Sequence, residues 1–335
     1  MTPFSFELPR ELIAQHPPSE RDGGRLLWVR SDDTLQHRRV IELAELLAPG
    51  DLLVVNDTRV MRARLTAHRA TGGRVEVLLL EPGPERARAL VRPGRRLKSG
   101  EELRLGDDRL RLADRHDDGS WTVEGSRALS ELMSAHGALP LPPYIERPDD
   151  EADAARYQTV FADSLGAAAA PTAGLHLSPR VLDQLGRRGV DVARITLHVG
   201  LGTFRPLREE DLARGELHPE WYRVPEETAG AISACRARGG RVVAVGTTSC
   251  RALESATPDG QRVPAAGEGV TRLFLREGDP TRCVDGLLTN FHLPGTSLLH
   301  LVCALGGRER LERAYEAAVT ERYRFYSYGD AMLLL

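Results

Sequence analysis

Cysteine is scarce: Cys235, Cys250, Cys283 and Cys303 are the four in 335 residues. They are too few and too evenly spread for a disulfide framework in a chain of this size, and none forms a C-x-x-C pair, so free thiols and no zinc site are expected. Lysine is almost missing, since 44 of the 45 basic residues are arginine and Lys98 is the exception. An arginine at any one position therefore says little about function. With a net charge of −3 there is no global basic field, and any nucleic-acid contact must be local. No apolar run approaches the roughly 18 to 20 residues that span a bilayer, and the N-terminal MTPFSFELPRELIAQ has acids and prolines where a signal peptide needs a basic start and an apolar core. The expectation is a cytoplasmic chain without membrane contact. The 32 glycines follow no G-X-Y period and no repeat of solenoid length is present, so fibrous and repeat architectures are excluded.

Several chemical signatures are missing too. There is no G-x-G-x-x-G fingerprint and no Walker G-K-[ST], which argues against dinucleotide and P-loop sites. No histidine pair has H-E-x-x-H spacing and Cys and His do not cluster, so no metal is expected. A G-x-S-x-G nucleophile elbow is absent as well.

What is there is a globular composition, 41% hydrophobic and 28% charged, over a length that suggests about two domains. Apolar runs at Leu26 to Val29 and Asp51 to Val55 flank an amphipathic stretch from Val40 to Leu47, which reads as strand, helix, strand. From about Arg64 to Glu124 the texture changes to short alternating segments (RVEVLLL, ARALVR, ELRLG, RLRLA, SWTVE) separated by Gly, Pro and Asp, the pattern of a small antiparallel barrel. A helix over Ser126 to Ala135 and the proline-rich LPLPPYIERP follow. In the second half, Ser178-Pro179 caps a helix, VDVARITLHV and RVVAVG read as strands, and PEETAGAISACRARG and TTSCRALESA as helices. Such alternation predicts an α/β fold with a largely parallel sheet. The economical organisation is an α/β domain over 1–63 and 150–335, interrupted by an inserted antiparallel β-barrel domain over 64–149.

Five polar constellations stand out, most of them where strands end. In NDTRVMRARL, Asp57 suits a general base or a ribose contact, and Arg59, Arg62 and Arg64 suit phosphates; the same residues also read as a self-capped turn with solvated arginines. GAAAAPTAGLHLSP offers Thr172 and Gly174 in a small-residue run that lets backbone approach a ligand, and puts His176 at a helix start, where a satisfied core histidine is the alternative. TLHVGLGTFRP places His198 at a strand end beside Gly200, Gly202, Thr203 and Arg205. In VVAVGTTSCRALES, Thr247, Thr248 and Ser249 open a helix and suit a carboxylate or phosphate, or simply cap it. DGLLTNFHLPGTS carries Asn290 and His292 after an apolar strand. The aromatics of ERYRFYSYGDAMLLL read either as base-stacking groups or as a core strand.

Taken in order, NDTRV, GGRVEVLLL, LPLPPYIERP, YQTVFA, GAAAAPTAGLHL, LHVGLGTFRP, EWY, VVAVGTTS, DGLLTNFHLP and RYRFYSYGDAML resemble the S-adenosylmethionine:tRNA ribosyltransferase-isomerases of queuosine biosynthesis, the QueA family, from about Phe4 to the C-terminus. The resemblance implies a larger α/β domain with an inserted β-barrel. It implies transfer and isomerisation of the ribosyl part of S-adenosylmethionine onto 7-aminomethyl-7-deazaguanine at the tRNA wobble position, giving epoxyqueuosine with release of adenine and methionine. S-adenosylmethionine would be a consumed substrate, with no prosthetic group, and tRNA the partner. Under that scheme His176 and His198 are the candidate base and acid, in either order, with Asp57 and His292 in reserve. Thr247, Thr248 and Ser249 suit methionine's carboxylate, Thr172, Gly174, Gly200, Gly202, Thr203 and Asn290 line the substrate, and Arg59, Arg62, Arg64 and Arg205 suit RNA phosphates. The sequence departs from the family at Pro294-Gly295-Thr296-Ser297, where a lysine and a serine are usual, at Leu177, where a phenylalanine is usual, and at Leu217-His218-Pro219. A non-catalytic tRNA-binding paralogue and a transferase using another amine acceptor are the alternatives.

Overall fold

The computed structural model describes residues 3–200, 207 and 209–335. The chain opens with a hairpin, β1 (Arg25–Val29) and β2 (Leu35–Arg39), then a short helix α1 (Leu43–Leu46) and β3 (Leu52–Asn56). All five residues of β3, LLVVN, are buried, which fits a strand covered on both faces. A short β4 (Thr58–Val60) leads into β5 (Arg64–Arg69), β6 (Arg74–Pro82), β7 (Arg86–Arg92), β8 (Glu102–Leu105), β9 (Asp108–Arg115) and β10 (Trp121–Gly125).

These last six strands form an antiparallel barrel, closed where His68 and Arg69 of β5 pair with Arg104 and Leu103 of β8. Their alternation decides which side chains enter. In β7, Ala87, Ala89 and Val91 point inward between exposed or half-buried neighbours, and meet Leu65, Val77, Leu103, Leu112 and Trp121 in the barrel core. Helix α2 (Leu129–His136) covers one opening with Leu129, Leu132 and Met133, and β11 (Gly137–Ala138) pairs with β5. After α3 (Glu151–Arg156), β12 (Ser164–Ala167) runs parallel to β4. A 3-10 turn over Thr172–His176 then precedes α4 (Pro179–Arg187), whose N-cap Ser178 accepts from the Val181 amide and whose Pro179 takes the first position.

From there the chain alternates through β13 (Asp191–Leu197), α5 (Glu209–Arg214), β14 (Glu216–Val224), α6 (Glu226–Ala237), β15 (Val242–Val245), α7 (Gly246–Ala256), β16 (Gly267–Leu273), β17 (Gly286–Asn290), α8 (Ser297–Gly306), α9 (Arg308–Thr320) and β18 (Ala331–Leu334). The main sheet has nine strands in the order β16, β14, β13, β3, β15, β17, β18, β1, β2. The parallel arrangement expected from sequence holds for its centre, β13-β3-β15-β17. The flanks join it antiparallel, through β14 on one side and β18 on the other, so the sheet is mixed. At the amino ends of the central strands, buried or half-buried carboxylates staple the loops. Asp51 accepts from the amides of Ala48 and Arg241, Asp285 from Val242, and Glu254 from Arg282, Cys283 and Val284. The carboxyl ends carry a different set of polar groups.

Candidate functional site

Those carboxyl ends surround a cavity of about 370 Å³. The start of α7, directly after β15, delivers Gly246, Thr247 and Thr248; β17 delivers Thr289 and Asn290; and the loop into α8 adds His292 to Thr296. Val199 follows β13, Thr172 comes from the 3-10 turn, and Tyr144 and Tyr326 close the remaining side. Open sheets bind ligands at this end of their strands.

Helix α7 starts directly on the strand. Gly246 has φ +86, a conformation that favours glycine, and no side chain caps the first turn. The Thr248 hydroxyl accepts from Asn56 Nδ2 at 3.3 Å, and Ser249 donates back to the Val245 carbonyl at 2.7 Å. Asn56 itself clasps the end of β13, donating to Leu197 O (2.9 Å) and accepting from Leu197 N (3.0 Å) and Thr58 N (3.1 Å).

Asn290 is the second hub. Its Oδ1 accepts from Thr172 Oγ1, and its Nδ2 donates to His176 Nε2 and to the Tyr326 carbonyl, all at 3.0 Å. Burial, aided by Arg324 and Arg21, lowers the His176 pKa to about 4. The ring is therefore neutral near pH 7, with Nε2 accepting and Nδ1 carrying the proton. His292 lines the cavity with Nε2 2.8 Å from Thr289 Oγ1, and burial lowers its pKa to about 3.

Across Val199 the cavity adjoins a groove of about 770 Å³ between the sheet and the barrel, lined by His198, Trp221, Gly166 and Met133 among others. His198 is fixed on three sides. Its Nδ1 lies 2.8 Å from Thr58 Oγ1, its ring stacks on Trp221 with centroids 4.8 Å apart, and its other face lies on Gly166, where a Cβ would come within 2.5 Å of Nε2. Burial lowers the His198 pKa, opposed by Asp57; burial raises that of Asp57, opposed by a 2.7 Å hydrogen bond from Thr196. Below them Glu220 accepts from the Gly200 amide (2.9 Å) and pairs with Arg251, both side chains buried. Burial would push the Glu220 carboxyl up, but Arg251 and His218 outweigh it and hold the pKa at about 2.

Of the residues singled out from sequence, Thr172, Thr247, Thr248, Asn290 and His292 meet in the cavity, and His198 and Gly200 meet in the groove. His176 stands behind Asn290, outside the cavity lining. Gly174 packs on Thr159 and Phe161, and Ser249 is buried in α7. Arg59 and Arg62 line a further cavity of about 320 Å³ beside α2, with Arg62 Nε 2.7 Å from Gly137 O, whereas Arg64 turns to Leu141 O. Gly202, Thr203 and Arg205 lie outside the described residues. Sequence reasoning passed over Tyr144, Thr289 and Thr296 as site residues. Gly166 carried a signal in its run of small residues, and Tyr326 carried one among the C-terminal aromatics, where Tyr323 and Phe325 prove to be core. All four cysteines are buried and unpaired. Among the described residues no group of three or more His, Cys, Asp and Glu side chains is placed to hold a metal ion, and no helix is long and apolar enough to cross a membrane.

The chain is similar to known proteins over its whole length. The family model described as queuosine biosynthesis protein matches residues 1–334. An S-adenosylmethionine:tRNA ribosyltransferase-isomerase of Anaeromyxobacter sp. (strain Fw109-5) is 48% identical over 341 residues, covering 100% of this chain and 98% of that protein. One of Azoarcus sp. (strain BH72) is 50% identical over 334 residues, covering 99% and 96%. The crystal structure of S-adenosylmethionine tRNA ribosyltransferase from Thermotoga maritima is similar with a TM-score of 0.57 and 35% identity, over 99% of this chain and 100% of that one.

Proposed function

The chain belongs to the queuosine biosynthesis protein family, and from that premise we propose that it is an S-adenosylmethionine:tRNA ribosyltransferase-isomerase acting on 7-aminomethyl-7-deazaguanine at the wobble position of tRNA. The ribosyl part of the donor is transferred and isomerised to give epoxyqueuosine, and adenine and methionine leave. The observation that carries this reading is the pairing of a strand-end cavity with an adjoining groove across Val199, one compartment for each substrate.

The donor takes the cavity, whose volume lies within the usual range of small-molecule sites. Methionine's carboxylate meets the uncapped first turn of α7 with the Thr247 and Thr248 hydroxyls, where the helix dipole favours negative charge. Asn290 and the neutral His292 hydrogen-bond the nucleoside. His176 acts through Asn290, as a positioning residue.

The positive sulfonium acidifies the neighbouring 5′-carbon, so a base can remove a proton there before adenine departs and the RNA amine captures the opened sugar. His198 is that base. Its lowered pKa leaves it unprotonated near pH 7, and Thr58, Trp221 and Gly166 fix its direction. Asp57 stabilises the imidazolium once formed. Arg59 and Arg62 meet the phosphates of the anticodon loop, which lies between the α/β domain (1–63 and 150–335) and the barrel domain (64–149). A reaction on tRNA belongs in the cytoplasm.

Incubating the protein with S-adenosylmethionine and a wobble-modified anticodon stem-loop tests the reading. Adenine release should match a gain in RNA mass equal to the ribose-derived group. RNA binding without either product would overturn it in favour of a non-catalytic paralogue, and adenine release only with a small amine would assign a different acceptor.

A further inference from the structure

Tyr326 is held in an unusual conformation at the mouth of the cavity. Its φ of +71 lies in the left-handed region, which a bulky side chain rarely enters. The surrounding turn enforces it. The Tyr326 amide donates to Phe291 O (3.2 Å), and its carbonyl accepts from Gly329 N (2.9 Å) and from Asn290 Nδ2 (3.0 Å). Gly329 admits no side chain, since a Cβ would lie 2.4 Å from Arg324 O, and Asp330 closes the turn by accepting from the amides of Arg324 and Arg25. Tyr323 and Phe325 on the same segment are fully buried in the core, whereas Tyr326 lines the cavity. Strain that is so over-determined clusters at ligand clamps.

One face of Tyr326 is covered by Tyr144, with centroids 3.8 Å apart and planes 22° apart. That is contact stacking, and no third ring fits between. Tyr144 belongs to the proline-rich segment that leaves the barrel, and its hydroxyl bonds Ser327 Oγ. A flat ligand reaches this face of Tyr326 only by taking Tyr144's place, which requires rotation of the Tyr144 side chain and release of its hydrogen bonding to Ser327.

We propose that Tyr326 is the platform on which the donor's adenine stacks, and that Tyr144 occupies this platform until the donor arrives. The proposal rests on the assignment of the cavity to S-adenosylmethionine. Within that molecule adenine is the only aromatic part, and the carboxylate is drawn to the hydroxyls and amides of α7. Asn290 ties the platform to the cavity wall, because the side chain that lines the cavity also donates to the Tyr326 carbonyl.

Calorimetric titration of the full chain with S-adenosylmethionine, and separately with adenine and with methionine, distinguishes the outcomes. Tyr326→Leu should weaken S-adenosylmethionine and adenine roughly 5- to 150-fold, the range for one base–aromatic stack, and leave methionine unchanged. Tyr326→Phe should restore binding. Tyr144→Ala should tighten S-adenosylmethionine, because the competing ring is gone. Unchanged donor affinity in Tyr326→Leu, or a Tyr144→Ala loss as large as that of Tyr326→Leu, overturns the platform while leaving the cavity assignment intact. A wild-type chain that binds neither the donor nor methionine overturns the cavity assignment and the platform with it.

Discussion

His176 and His292 flank Asn290 in the site, and both are held neutral by burial, with pKa values lowered to about 4 and about 3. In the unfolded chain each titrates near 6.5. The folded state therefore binds fewer protons than the unfolded state once pH falls below 6.5, so the stability present above that value is lost progressively towards pH 4 and below. Between pH 7.5 and 5 the loss should be about 2 kcal/mol for each histidine, read from urea unfolding at the two pH values. His176→Gln should remove its share of the slope, and equal stability of the wild type at both pH values would refute the assignment of neutral rings. At this scale the sequence was partly legible. Thr248, Asn290 and His292 each end or follow a strand or open a helix, and that alone carries them to one end of the sheet. The rotation of a ring is another matter: the run ending in His176 showed that backbone comes close here, but not that the imidazole would stand behind Asn290. Tyr144 and Tyr326 meet from distant segments, and no local pattern announces such a pair.

Strand β14 and helix α7 are joined by the ion pair of Glu220 with Arg251, both 3% exposed. Through the Gly200 amide the same carboxylate also pins the chain just beyond β13. Removing one partner strands a buried charge, so Arg251→Met should lower stability by about 3–5 kcal/mol in chemical unfolding, and adding Glu220→Met should recover much of that loss. A loss of under ~1 kcal/mol for the single variant would contradict this account. The central strands could be read as apolar runs because β3, β15 and β17 are buried along their whole length. β5 and β14 could not. In β5 the inward residues are only Leu65 and Ala67 among polar neighbours, and β14 contains Pro219 and an irregular register between Glu216 and Glu220. The antiparallel flank at β18 was equally hidden, since AMLL is as apolar as any parallel strand and direction is set by the path of the chain.

For the whole molecule, a net charge of −3 leaves no global basic field, so the proposed RNA contact falls to local arginines. Arg59 and Arg62 lie on β4 and just beyond it, facing α2 of the barrel, and the groove containing His198 shares Met61, Ser130, Met133 and Leu165 with their cavity. Changing both arginines to glutamine should reduce the salt dependence of stem-loop binding by about one unit of slope for each lost phosphate contact. An unchanged slope would move the RNA elsewhere. The change of texture after Arg64 showed the barrel in the sequence, but not the apposition of α2 to β4 and β12 that creates the groove. Closure of the barrel through β5 and β8 pairs the two margins of its six strands, whereas the nine-stranded main sheet ends in open edges at β2 and β16. An unguarded edge recruits strands from other molecules and seeds aggregation. β2 reads LQHRR, and β16 places exposed Glu268 and Arg272 on either side of the exposed Val270. Charge at both margins disfavours addition of a further strand to the sheet, a task that falls to surface residues with no part in the proposed chemistry.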